Sequence, residues 1–583
     1  MNFRALWPTP FPTTPLQKIS LLAAVCLIVI PGYLLLYKMS EKTLPAVDAT
    51  SPRFSALQAF DTTREFVTQF PGRLFGSLES RQATGYLTDK LKAMGYEVEY
   101  VHYDGRTGGG QRAGRNVLAY KQGGTDAIIA VTAHFDTART TVQGAAKNGA
   151  AVGVLMELAE LFSRENTRRS ILFAFTDGGE WGSTGAKDLS VNYEKKDLIA
   201  AVLTLDYVAP GDLAGLRLDT VGQLSGSTPH GIIRLAEEAI RKQASFVTAK
   251  SLGTQLLENT FMISSSEQGP FLKARIPAIN LGSFSTDVKR EKAILHSPED
   301  VIENLKIDTI DKYGRVAEQI VRSLAGAPEI PRYSNAGSDM ASRIAESTCK
   351  TVLFLASLVL VLEIKHARKI LNLAQTGREL LAFFAAWIPF LVLFFGIKLA
   401  YAARQFPFYD LYPAIAKDNV MQNPPWKVFV IIAAGVMFVA ITAWVVARYF
   451  LREWTKPDYQ NSCAALCGVL AVAILMAFGY NPFWGVIFFT APFVMWPMPQ
   501  SWNIAKSDSG KRILGIVYIA IAAVPALLAF CWLAIQLGFG WNFFWYQTLA
   551  LTTGLFSPIA YFMGTAVIAV GIRIIIISHR LKG

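Results

Sequence analysis

The long polar stretch of this sequence contains no cysteine. All five cysteines, Cys26, Cys349, Cys463, Cys467 and Cys531, lie within or at the edge of apolar runs, which excludes a disulfide framework for the polar part. Cys463 and Cys467 stand four apart on a predicted helix, where they read as small apolar-like residues rather than as metal ligands. Charged residues are also scarce, 17% against 52% hydrophobic, a balance too apolar for an ordinary soluble enzyme and one that points to membrane spans. Acidic residues are in deficit, 44 against 56 Lys and Arg, for a net charge of +12. That excess does not indicate nucleic-acid binding, because many Lys and Arg flank the apolar runs, where they act as topology signals. No Asn-x-Ser/Thr sequon occurs in residues 52–325, and neither an internal repeat nor a low-complexity segment is visible. The missing sequons and cysteines favour a bacterial inner membrane with a periplasmic domain over the endoplasmic reticulum.

Long apolar runs are present in number. The first, residues 17–37, follows a short N-terminus (1–16) carrying Arg4 and Lys18 at its border. Pro31 and Tyr33 are followed by a bulky Leu-Leu-Leu-Tyr run rather than a small-residue cleavage site, so the run is predicted to be an uncleaved anchor. Residues 52–325 read as an α/β domain: strand-like runs such as Ile128–Thr132 and Ile171–Phe175 alternate with helical stretches such as Ala151–Phe162. A Pro/Gly/Ser-rich linker follows at 326–348. Seven further runs occupy 349–577, at about 349–364, 380–401, 426–449, 462–480, 482–499, 513–538 and 543–577. Pro558 could split the last run, but one long kinked or tilted helix keeps the topology consistent, which gives eight spans in total and a cytoplasmic tail at 578–583. Inner loops then carry Lys365, Arg368, Lys369 and Arg378, next Arg448, Arg452 and Lys456, then Lys506, Lys511 and Arg512, and the tail Arg580 and Lys582. This alternation places the α/β domain outside the cytoplasm.

Within that domain, chemistry-bearing residues stand at predicted strand ends. Ile128–Ala133 leads to His134-Phe135-Asp136, Ile171–Phe175 leads to Asp177-Gly-Gly-Glu180, Val202–Leu205 ends in Asp206, and His296-Ser-Pro-Glu-Asp300 opens a helical region. Polar groups at strand ends of an open α/β sheet converge on one crevice. A two-metal aminopeptidase needs His and carboxylate ligands from several such ends, with a carboxylate base beside the metal-bound water.

The ordered series resembles metallopeptidase family 28, the zinc aminopeptidases, which also include glutaminyl cyclase-like and transferrin-receptor-like members. The likeness covers about residues 55–322. It runs through Arg73-Leu-Phe-Gly76, Asn116-Val117, His134-Phe-Asp136, Gly144-Ala-Ala-Lys147-Asn148, Gly179-Glu180, Asp206, Ser266-Glu-Gln-Gly-Pro270 and His296-Ser-Pro-Glu-Asp300. The resemblance implies a three-layer α/β/α domain around a mostly parallel mixed sheet. It implies that His134 and Asp206 serve one zinc, with Asp136 orienting His134, and that Glu180 and His296 serve a second. The layout of one span, a large domain and seven spans is similar to that of the peptidase-like subunit of the glycosylphosphatidylinositol transamidase, an analogy of architecture.

Two positions depart from the family pattern. Lys147 stands where the family has a bridging Asp, and Gly179 where it has the Glu that acts as general base. Two unit charges at ~4 Å repel by about 4 kcal/mol at an effective dielectric of ~20, so an ammonium there opposes a two-zinc site. Loss of a general base costs a factor of ~100 to ~10,000. Three readings of Lys147 stand open: an ion pair with Glu180 or Asp206 that closes the pocket, a side chain turned away that leaves a single-metal site, or a reactive amine. Zinc is then expected to bind at most weakly or at one site. Asp177 is an alternative base, with a structural role at the strand end preferred. The chain is expected to be a catalytically altered or inactive peptidase-like protein that binds a peptide, a lipid-linked substrate or a membrane-protein partner at the outer face. An active aminopeptidase with a rearranged site and a structural subunit of a membrane complex are the alternatives.

The remaining candidates have ordinary readings. His102 and His230 match no ligand position, His366 and His579 lie in basic flanks, and Glu363 and Lys398 sit near span ends where snorkelling explains them. The aromatic segment Phe406–Tyr412 is read as an interfacial anchor, with a lipid or partner site as the alternative.

Overall fold

The computed structural model describes residues 50–107, 110–222, 226–244 and 266–330, then 372–406, 423–445, 459–481, 507–537, 540–553 and 556–580, with scattered positions between them. The chain divides into two compact units, one holding the α/β domain and the other the apolar helices.

In the first unit, seven strands form one sheet. They are β1 (Glu97–Thr107), β2 (Gly110–Lys121), β3 (Ile128–His134), β4 (Ser170–Thr176), β5 (Ile199–Leu205), β6 (Leu213–Asp219) and β7 (Ala278–Ser285), in the order β1-β2-β4-β3-β5-β7-β6. The pairs β3–β4, β3–β5 and β5–β7 are parallel, while β1–β2, β2–β4 and β6–β7 are antiparallel. The sheet is mixed, with three parallel and three antiparallel pairings: β4, β3, β5 and β7 run together, β2 and β6 run against them, and the edge strand β1 runs with them again. β3, β4 and β5 are buried at every position, as strands covered on both faces must be.

Alternation sorts their side chains. Ile129, Val131 and Ala133 join Phe173, Phe175, Leu203 and Leu205 in one core, while Ile128 and Ala130 join Leu172, Ala174 and Val202 in the other. The first core is covered by α1 (Ala56–Gln69), α3 (Ala150–Ser163), α5 (His230–Ala244) and α8 (Ile307–Gly326). The second is covered by α4 (Thr184–Asn192) and α6 (Gln268–Lys273), giving three layers. Two further helices, α2 (Leu78–Ala93) and α7 (Val288–Ile294), complete the unit. Ser55 and Ser77 cap α1 and α2 by accepting the Gln58 and Ser80 N–H groups.

The second unit holds α9 (Leu373–Ala402), α10 (Trp426–Val445), α11 (Tyr459–Tyr480), α12 (Asp508–Leu537), α13 (Phe543–Thr553) and α14 (Pro558–Arg580). Among the described residues, four segments are long and apolar enough to cross a membrane: Leu373–Ala402, Trp426–Ala443, Gly515–Ile535 and Pro558–Ile577. The described residues thus support four spans, not eight. The 462–480 run coincides with the shorter apolar segment Ala465–Ala477. The runs at 17–37, 349–364 and 482–499 lie wholly or mostly outside the described residues. The last run is corrected: 543–577 is two helices, broken before Pro558, whose ring and missing N–H suit the first turn of a helix and not its interior.

Lys398 does not snorkel. Its amine donates to the Leu551 and Thr552 carbonyls at 2.8 and 3.1 Å, satisfying the free C-terminal end of α13. Of the aromatic segment, Phe406 is buried against Phe429 and Trp545, and residues 407–412 lie outside the described residues. So do Glu363 and His366, and the side chains of Cys463, His230 and His579.

Candidate active site

Three parallel strands end at one place, and the turn before α3 joins them. His134 closes β3, Asp206 follows β5, and Glu180 stands in the loop after β4. Lys147 sits in the tight turn Ala145–Gly149. That turn is pinned by Asn148, which donates to the carbonyls of His134 (3.3 Å) and Leu205 (3.0 Å) and accepts the Tyr207 N–H. His134, Asp136, Lys147, Glu180, Asp206 and His296 are all buried. His102 is exposed on β1, far from any ligand role.

The side chains form one ionic cluster. The Lys147 amine hydrogen-bonds to Asp206 and lies 3.9 Å from Glu180 Oε1. His134 Nε2 is 3.5 Å from Asp206 Oδ1 and 3.9 Å from Glu180 Oε1, and His296 Nε2 is 3.1 Å from Glu180 Oε2. His134 Nδ1 is 3.2 Å from Asp136 Oδ1. Asp136 in turn accepts the N–H groups of Gly179 (2.6 Å) and Glu180 (3.1 Å), so one carboxylate orients both His134 and the Glu180 loop. Of the three readings of Lys147, the ion pair is the one the geometry shows.

Burial works against every charge here, and mutual pairing overcomes it. Burial alone would lower the His134 pKa, but its bonds to Asp136 and Asp206 hold it up to about 10. Glu180 is drawn down to about 2 against its burial by His296, Lys147 and His134. Asp206 is held far below the carboxylate range against burial by Lys147 and His134, and Lys147 is raised against burial by Asp206 and Glu180. The cluster is a paired, charged network in a dry place.

This donor set does not fit a two-zinc centre. An ammonium points at the carboxylates that would have to hold the ions. Among the described residues no group of three or more His, Cys, Asp or Glu side chains is arranged to hold a metal. Position 179 offers no base either. A Cβ there would lie 2.1 Å from His134 Cγ, so the backbone approaches the imidazole as only glycine allows. Asp177 does not replace it: the carboxyl is buried, accepts from Ser80 at 3.0 Å, and burial raises its pKa well above the usual range. Its role is at the strand end.

Residues 116–321 match the model of Peptidase family M28. This region is an M28 domain. The chain is 30% identical over 194 residues to the alkaline phosphatase isozyme conversion protein of Escherichia coli K12, across 28% of this chain and 55% of that protein. It is 28% identical over 225 residues to the BOS complex subunit NCLN of Canis lupus familiaris, across 36% of this chain and 39% of that one. The chain thus spans about half or less of the length of these curated relatives. A zinc aminopeptidase from Bacillus subtilis, solved as a structure, is similar at 13% identity and a TM-score of 0.40, over 48% of this chain and 96% of that one.

Three residues of the M28 domain matter to the site although the sequence gives them no role of their own. Asp300 accepts the N–H groups of Ala146 (2.6 Å) and Lys147 (3.1 Å) and so fixes the turn that presents Lys147; burial lifts its pKa to about 6. Tyr313, on α8, accepts the Asp206 N–H and donates to the Leu281 carbonyl. Glu267 is buried beside the strand ends, accepts from Thr132 and Thr176, and is raised in pKa by burial. Asp300 closes the His296–Asp300 motif and Glu267 lies in the Ser266–Pro270 stretch of the family resemblance, their one signal each; Tyr313 had none.

Proposed function

We propose that this chain is a membrane-anchored, catalytically altered member of the zinc-aminopeptidase kind, whose pocket binds rather than cleaves. The observation that carries this reading is the Lys147 ammonium, paired with Asp206 and 3.9 Å from Glu180. An amine there neutralises the carboxylates that a second dication would need, and zinc is left with weak, single-site binding at most. Gly179 supports the same reading, since it provides no proton acceptor beside the pocket.

Its ligand belongs to one of three classes: a peptide, a lipid-linked substrate or a membrane-protein partner. The Lys/Arg alternation along the sequence supports cytoplasmic termini and an M28 domain on the outer face, and the lack of cysteines and sequons in residues 52–325 supports a bacterial inner membrane. A second reading, a structural subunit of a membrane complex, draws support from the likeness to a BOS complex subunit.

The test is hydrolysis of aminoacyl p-nitroanilides by the purified full-length protein with added zinc. The wild type is expected to stay at the no-enzyme background. Robust zinc-dependent hydrolysis by the wild type, undiminished by Lys147→Ala, would overturn the proposal.

A further inference from the structure

The carboxylates inside the pocket are matched by cations, and what is left unmatched at its edge is positive. Trp181 follows Glu180 and is buried, 7% exposed. Two guanidinium groups lie against its ring, Arg139 at 5.5 Å and Arg112 at 6.0 Å from the centroid. Arg139 is exposed on the loop that follows β3. Its neighbour Thr140 donates to the His296 carbonyl at 2.7 Å, so this loop reaches from the Trp181 ring to the His296 backbone. Arg112 donates to the Phe75 carbonyl at 3.1 Å. Among the described residues neither guanidinium has a carboxylate partner, and the buried Trp181 Nε1 has no acceptor.

We infer that this edge of the pocket is a docking site for an oxyanion, a carboxylate or phosphate carried by the ligand. The inference rests on the reading of the pocket as a binding site. A guanidinium within ~6 Å of an indole centroid is held by the ring's electrostatic attraction, and the exposed Arg139 keeps its forked N–H donors for an oxyanion. Such forked, charge-assisted bonds are the strong ones. The Trp181 N–H is a further donor beside them that lacks an acceptor. The ligand class is therefore anionic at the end that meets Trp181, in contrast to the free amine that an aminopeptidase substrate presents.

The experiment is calorimetric titration of the detergent-solubilised full-length protein with three probes. They are an N-acetylated tetrapeptide of aspartate and glutamate, inorganic phosphate, and a tetra-alanine amide with a free N-terminus. The acetylated acidic peptide, phosphate or both should bind, more weakly as salt rises, and the amine-terminated peptide should not. The anion that binds more tightly identifies the source. Arg139→Glu should weaken that binding by about tenfold or more, the value of a charge-assisted bond, without lowering the unfolding temperature. Arg139→Lys should restore part of it. The inference is overturned if neither anion binds, if the amine-terminated peptide binds as tightly, or if Arg139→Glu binds like the wild type. Zinc-dependent hydrolysis would sink the underlying reading, whereas failure here alone removes only the anion site.

Discussion

His134 occupies the space that any side chain at position 179 would need. A Cβ on Gly179 would stand 2.1 Å from His134 Cγ and 2.4 Å from its Cβ. The same Gly179 donates its N–H to Asp136, the carboxylate that orients His134. Loss of the base and placement of the imidazole are therefore one structural fact, and restoring a glutamate at 179 by itself has no room to succeed.

Gly179→Ala is accordingly expected to lower stability by about 1–3 kcal/mol, the usual cost of overpacking a dense interior. Thermal unfolding of the solubilised protein measures this. An unchanged midpoint would mean that the loop after β4 yields freely and that His134 is not held against it.

Lys147 and Asp206 should behave as a coupled pair. Lys147→Met leaves Asp206 buried with less compensation and should cost about 3 kcal/mol; adding Asp206→Asn should recover part of that loss. A double-mutant cycle with no coupling would place the amine elsewhere in solution.

How far the sequence revealed this arrangement depended on the range of the interactions. The strands Ile128–Thr132 and Ile171–Phe175 and the helix near Ala151–Phe162 were legible because local apolar patterns specify them. The meeting of His134, Lys147, Glu180, Asp206 and His296 was legible through strand ends and the family resemblance. The Gly179–His134 contact was not, since a glycine in sequence shows no reason for itself. The antiparallel pairings of β2 and β6 had no local signal either, since strand pairing is set by partners far along the chain. The break before Pro558 was visible as a proline and misread as a kink. The pair Glu379–Arg573, 194 residues apart, had no local signal.

Glu157 predicts a pH effect apart from the site. Burial lifts its pKa from 4.5 to about 7, with the neighbouring Glu160 and Glu318 adding to it and the Ser55 N–H opposing. The folded state thus keeps a proton that the unfolded state releases. This group favours folding most below pH 4.5, and stability declines as pH rises to about 7. Glu157→Gln should raise the unfolding midpoint at pH 8 and leave it unchanged at pH 4. Equal effects at both pH values would contradict the assignment.

In the helical unit, Arg573 on α14 donates two hydrogen bonds to Glu379 on α9, each of 2.9 Å, and Ser462 on α11 donates a third at 2.8 Å. Both carboxylate oxygens of Glu379 accept, and the residues are buried. Glu379→Gln should reduce stability by about 3 kcal/mol because it strands a buried guanidinium. Replacing both partners with leucine should cost less than the two single changes together. Thermal stability in detergent, read by the loss of the monodisperse species, distinguishes these outcomes.

The count of zinc ions per chain tests the central claim about Lys147 most directly. The wild-type protein, dialysed against zinc and measured by elemental mass spectrometry, should hold fewer than the family's two, and Lys147→Asp should hold more than the wild type. Two tightly held zinc ions in the wild type, with no gain in Lys147→Asp, would contradict the account.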